Sequence, residues 1–199
     1  MSLNEKDTHG YAAKDGDKLE RKKIMGFGLS EAFKVSNVHN VYVAGCDLHG
    51  GKEDVVDVVR GTAKFMRTFM YPSNKTKQTV TVKGGGQAIF DRCKFVGKSD
   101  KQDIVVGDFT IYDAVQKNRP KSKVKLNRCV GVHSEDKNKK RPIYAVVLHG
   151  ELEYDENTEV HVVRVPKFLV KIYFSIMRLF TSKERKEEAI RNLKISPDI

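Results

Sequence analysis

The sequence predicts an all-β solenoid of about five coils with a C-terminal helical cap. Three observations carry this prediction. Short apolar strands recur along the chain with turn residues between them. Two distinct strand patterns each reappear at a roughly constant interval. The pattern changes after Pro166, where apolar residues fall three and four apart, as in an amphipathic helix.

Residues 1–22 are polar and rich in Lys, Asp and Gly, and read as a flexible tail or linker. The core pattern starts near Ile24 with Ile-Met-Gly-Phe-Gly-Leu and continues through Phe33-Lys-Val. The first repeated pattern is Val41-Tyr-Val-Ala-Gly-Cys46. It returns as Ala88-Ile-Phe-Asp-Arg-Cys93 and as Val124-Lys-Leu-Asn-Arg-Cys129. Lys64-Phe-Met-Arg-Thr68 fits the same template, with Thr68 at the cysteine position.

The second pattern is Glu53-Asp-Val-Val-Asp-Val-Val-Arg, matched by Lys77-Gln-Thr-Val-Thr-Val-Lys. Later versions begin at Gln102 and Tyr144, with a last one at Thr158. The copies recur roughly every 22 to 25 residues and widen to about 36 between Cys93 and Cys129, where Asp113–Lys123 is a polar insertion. Alternation then places Val56 and Val58 over Val80 and Val82 in the interior, with Asp57, Thr81 and Lys83 pointing out. The core is expected over 23–165.

In 166–199, Phe168, Leu169, Ile172, Ile176, Leu179 and Phe180 form an apolar stripe. Thr181 and Glu184 have capping-box spacing and open a second helix, Lys183–Lys194. These helices are expected to cover the last coil, because an open solenoid end invites edge pairing.

The chain has 199 residues, 39% hydrophobic and 32% charged, which suits a single soluble domain with a core. Its formal net charge of +11 favours polyanionic partners. Three cysteines without C-x-x-C spacing argue against a disulfide framework or a zinc site. Their repeat spacing makes them an interior ladder of small, soft side chains. The first residues are not those of a signal peptide. Val165–Phe180 contains Lys167, Lys171 and Arg178, and is too short and charged to span a bilayer. These features leave the setting open and are compatible with a cytoplasmic or a virion-associated protein.

The alternating strands, the approach Asn37-Val-His-Asn-Val-Tyr-Val to Gly45-Cys46, and the turn Gly50-Gly-Lys-Glu-Asp-Val-Val-Asp-Val-Val-Arg-Gly resemble the pectate lyase-like single-stranded parallel β-helices. The resemblance covers roughly 22–165. It implies a right-handed coil with any active groove on one outer face, and admits oligomers of the tailspike kind. The chain departs from that family's enzymes. It is short and lacks long groove-walling loops, a complete lyase calcium site, and Asn-Thr-Asp and Gly-His-Gly segments.

The cluster His49, Lys52, Glu53, Asp54, Asp57 and Arg60 carries the most chemistry. A lyase on uronic acids needs a base, with cations or Ca2+ to neutralise the carboxylate. Asp54 or Asp57 can ligate calcium, and Arg60 or Lys83 can act as base or clamp. A hydrolase needs two facing carboxylates. Asp54 and Asp57 are three apart, so a regular strand sends them to opposite faces, and Asp57 would need Asp91 or Asp103 from another coil. The catalytic candidates are Asp54, Asp57 and Lys83. The binding candidates are His49, Lys52, Arg60, Lys117, Arg119, Lys121 and Lys123. No metal site is expected outside the lyase alternative.

The same residues also fit a structural role. Asp54 can cap the turn with Arg60 as its partner, and Asp57 can pair with Lys83 across adjacent coils. Gly84-Gly85-Gly86 reads as a tight bend, not a phosphate loop. The basic stretches Gln116–Lys125 and Lys137–Arg141 are expected as loops forming one positive patch.

The reading favoured is a non-catalytic module, structural or presenting a face to a glycan or a protein subunit, of the kind found in phage virions or host attachment. A lyase or hydrolase acting on acidic polysaccharide is the alternative. Sparse aromatic residues among the basic ones disfavour nucleic acid. The helix cations permit a membrane surface but do not demand one.

Overall fold

The computed structural model describes residues 9–73, 76–97, 102–107, 121–136 and 138–180. The chain winds as a β-solenoid in which each coil adds one strand to each of three sheets. The first coil comprises β1 (His9–Ala12), β2 (Lys18–Glu20) and β3 (Lys23–Gly26). The second comprises β4 (Glu31–Ser36), β5 (Val41–Ala44) and β6 (Asp47–Gly50). The third comprises β7 (Asp54–Val59), β8 (Thr62–Met66) and β9 (Phe69–Tyr71). The fourth comprises β10 (Gln78–Lys83), β11 (Gln87–Asp91) and β12 (Lys94–Gly97). The fifth comprises β13 (Ile104–Val106), β14 (Ser122–Asn127) and β15 (Val130–His133).

The last strands are β16 (Lys140–Arg141), β17 (Ile143–Val147), β18 (Gly150–Tyr154) and β19 (Val160–Arg164). Sheet A runs β1-β4-β7-β10-β13-β17-β19, sheet B runs β2-β5-β8-β11-β14-β18, and sheet C runs β3-β6-β9-β12-β15-β16. Pairing is parallel apart from β15–β16, a hairpin at the end of sheet C. β1 and β2 lie within the stretch expected to be a tail, so the solenoid starts before residue 23. Of the basic stretches expected as loops, 122–125 is in β14 and Lys140–Arg141 is β16.

The predicted register holds: Val56 pairs with Val80 and Val58 with Val82. Stacked rings run through the interior. Phe33 meets Phe65 edge-on at 5.9 Å, and Phe65 stacks on Phe90 at 5.0 Å. Sheets B and C are joined by two-residue turns, of which the second residue is exposed Lys22 in the first coil and then Cys46, Thr68, Cys93 or Cys129, all buried. Each buried one donates from Sγ or Oγ to a carbonyl of the preceding coil: Cys46 to Leu19 at 3.7 Å, Thr68 to Val43, Cys93 to Phe65 and Cys129 to Phe90, the last three at 3.4 Å. Burial pushes the Cys46 and Cys93 thiols up, which keeps them protonated and donating. The ladder thus adds a side-chain hydrogen bond from each turn to a strand carbonyl of the coil before it.

The helix α1 (Lys167–Phe180) follows sheet A. Val170 is buried, but Phe168, Leu169, Ile172 and Ile176 are each about half exposed or more. The part of the apolar stripe that is described therefore does not lie on the last coil. The second helix expected over Lys183–Lys194 is outside the described residues.

Candidate functional site

The residues of the Gly50–Gly61 turn do not converge, because consecutive strands of one coil face three directions. His49 lies on sheet C with its ring stacked on Tyr71 at 4.3 Å. Lys52 and Glu53 are exposed in the turn, where Glu53 pairs with Lys77 at 3.6 Å. Arg60 sits at the far end of β7, with its Cγ 2.9 Å from where a Cβ of Gly84 would be, so a side chain at 84 would displace it. Arg60 therefore lies away from Asp54, the partner expected for it.

Asp54, Asp57 and Lys83 do come together, joined by Glu31 and Lys34. Candidate oxygens of Glu31, Asp54 and Asp57 lie within 4.8 Å of one another. Strict alternation fails where the chain enters sheet A: Ala32 and Phe33, and likewise Val55 and Val56, are buried neighbours. That irregularity brings together carboxylates which a regular strand would separate. Lys34 Nζ is 2.7 Å and Lys83 Nζ 3.3 Å from the same Asp57 oxygen, and Lys34 is 3.6 Å from Glu31. Asp57 is completely buried and Asp54 is 3% exposed. Asp103 is not an opposing carboxylate: it accepts a two-pronged hydrogen bond from the buried Arg141 at 2.6 and 2.8 Å.

Burial pushes Asp54 up to about 7, the nearby Asp57 charge adds to the shift, and Lys83 and a Thr81 hydrogen bond oppose it. The outer oxygens of Asp54 and Asp57 have no hydrogen-bond partner among the described residues. As a metal centre the group fits poorly. Two ammonium ions hold the place a dication would take, whereas calcium asks for six to eight oxygens.

A groove of about 460 Å³ lies elsewhere, on the outer face of sheet B. Its floor is made by two rows of side chains in register across the strands. One row runs Tyr42, Lys64, Ile89, Lys125, Glu153 and the other runs Thr62, Gln87, Lys123, Glu151, so each row ends on a carboxylate. Lys64, Lys123 and Lys125 are exposed. Lys121 and Lys123 reach Glu151 at 3.0 and 3.5 Å, and the Lys121 hydrogen bond and the lysine charges hold its carboxyl below the usual range. Two of the expected basic residues thus border this groove, while Lys117 and Arg119 lie outside the described residues.

One edge of sheet B carries more positive charge. The first residue of each B–C turn is Arg21, Gly45, Arg67, Arg92 or Arg128, all left-handed, with φ between 47° and 60°. Their amides bond along the solenoid, Arg21 to Ala44, Gly45 to Met66, Arg67 to Asp91 and Arg92 to Asn127, at 2.8 to 3.0 Å. The carboxylate of Asp155, directly after β18, takes the Arg128 amide in place of a strand carbonyl. A left-handed residue that is not glycine costs roughly 1–2 kcal/mol. Four arginines bear that cost at one structural position.

Sequence reasoning passed over Lys64 and this arginine row, and took Lys125 only as the end of a basic loop. The signal was present, since an arginine precedes the ladder residue in Arg67-Thr68, Arg92-Cys93 and Arg128-Cys129. Comparison with family models, with curated proteins and with solved structures returns no match.

Proposed function

We propose that this solenoid is a binding module that holds an acidic polysaccharide on the outer face of sheet B. The groove carries the reading. Exposed Lys64 and Lys125 flank Ile89 in one row, with no side-chain partner among the described residues, and Tyr42 continues that row. Ammonium groups on either side of an apolar strip suit a chain with carboxylates at its edges and carbon-rich ring faces. One tyrosine is too little stacking surface for single-stranded nucleic acid.

The Asp54, Asp57 and Lys83 cluster supports a structural role within this reading. A substrate would have to displace Lys34 and Lys83 to reach Asp57, and the cluster lies on sheet A, away from the groove.

Affinity electrophoresis in gels containing polygalacturonate tests the proposal. Retardation is expected at about 50 mM salt and should fade at about 500 mM, as exposed ion pairs are screened. The double variant Lys64→Ala, Lys125→Ala should bind roughly fivefold to tenfold more weakly. Absence of retardation by any acidic polysaccharide at low salt would overturn the reading.

A further inference from the structure

We infer that the turn arginines form a second, axial contact line that reads evenly spaced anionic groups along the bound polysaccharide. The inference rests on the binding reading above and adds the element that sets the ligand's direction and charge spacing.

Three observations support it. The four arginines occupy one structural position, one per coil, and successive coils stack at about 4.8 Å. From Arg21 to Arg128 the line spans four such steps, about 19 Å. The line has one gap, at Gly45, where Arg21 Cγ lies 3.8 Å from the position a Cβ would take, an ordinary van der Waals contact that leaves room for a side chain.

The left-handed turn does not itself call for arginine, although the Arg128 charge adds to the Thr158 hydrogen bond that holds the Asp155 carboxyl below its ordinary value. All four side chains are exposed. Arg21, Arg67 and Arg128 make no side-chain hydrogen bond or ion pair among the described residues, and Arg92 has only a 3.9 Å contact with Asp91. A left-handed turn is better served by glycine or asparagine. The arginine side chain is thus the part of these residues that the turn leaves unexplained. A guanidinium presents a planar fork that pairs with a carboxylate or sulfate through two hydrogen bonds. Forks at a constant rise match a polymer carrying one anionic group per repeat unit.

The line also fits the groove geometrically. Arg67 follows Lys64 by three residues on the third coil, and Arg128 follows Lys125 by three on the fifth. The two lysines of the strand-face row, Lys64 and Lys125, are therefore each accompanied by a guanidinium at the edge of the sheet. The two rows run parallel to the solenoid axis, which directs an extended chain along that axis and not across it.

The test uses the full chain and two opposed sets of variants. Arg67→Asn, Arg92→Asn and Arg128→Asn together keep a residue suited to the turn. They should leave Tm unchanged or raised while weakening polygalacturonate binding on the order of tenfold or more. Gly45→Arg places a fifth arginine in the line and should tighten binding roughly twofold to fivefold. Unchanged affinity in both sets, with the wild type still binding, would overturn the axial line but leave the groove reading intact. Loss of binding accompanied by a Tm drop of several degrees would assign the arginines to the fold. Failure of the wild type to bind would defeat the groove reading first. Weakened binding to oligothymidylate with polygalacturonate binding unaffected would assign the line to nucleic acid and overturn the carbohydrate assignment.

Discussion

Asp54 is the residue whose titration the fold perturbs most legibly. Its carboxyl stands at about 7 in the folded chain against an ordinary value of 3.8. Between those values the folded state keeps a proton that the unfolded state has lost, so stability falls as pH rises from about 4 to about 7 and levels off above. Across the whole window the loss amounts to about 4 kcal/mol at most. Asp54→Asn stays neutral throughout. It should match the wild type near pH 4 and exceed it by up to that amount at pH 8 in urea unfolding. A wild-type pH profile in the variant would show that Asp54 is not the titrating group. Asp57 differs: it holds two ammonium groups, and its pairing with Lys83 followed from the alternation Val56, Asp57, Val58, although its register partner on β10 is Thr81 and it is completely buried rather than exposed. The meeting of Asp54 with Asp57 did not, because the break in alternation at Val55–Val56 depends on how the chain turns from sheet C into sheet A.

At the scale of elements, periodicity identified what kind of element forms but not what it packs against. The helix α1 is where its three-and-four spacing placed it. Spacing alone says that one face is apolar; it does not say that a neighbour covers that face. Ile172 and Ile176 are 52% and 47% exposed. The double variant Ile172→Ser, Ile176→Ser should therefore change stability by less than about 1 kcal/mol, read by thermal unfolding. A larger loss would mean that the stripe closes the solenoid. The β15–β16 hairpin makes the same point with charge. The run Lys137–Arg141 reads as a solvated loop, yet Arg141 turns inward to Asp103, and the absence of a Cβ at Gly97 gives its guanidinium room, 2.6 Å from where that atom would be. Its acidic partner is 38 residues away, a pairing no local pattern announces.

Across the whole molecule, stability comes from each coil lying on the next, so a central ring should matter to both neighbours. Phe65 sits between Phe33 and Phe90 and is fully buried. Phe65→Ala should cost about 3–5 kcal/mol in urea unfolding. A cost below about 1 kcal/mol would show that the stack is not continuous. The repeat itself was legible from the second coil onward, because a solenoid writes its interior as a period, whereas β1 and β2 lie in a polar stretch that reads as a tail. Val56 over Val80, Phe65 beside Phe90, and Cys46, Thr68, Cys93 and Cys129 in one ladder all follow from aligning the copies. By itself the sequence determined the solenoid, its register and which side chains fill it, since burial of apolar surface repeats coil after coil. Only the tertiary structure decided which outward residues share a face. A coil turns through three sheets, so neighbours such as His49, Asp54 and Arg60 diverge, while Lys64 and Lys125, or Arg67 and Arg128, separated by 61 residues in each case, fall into line.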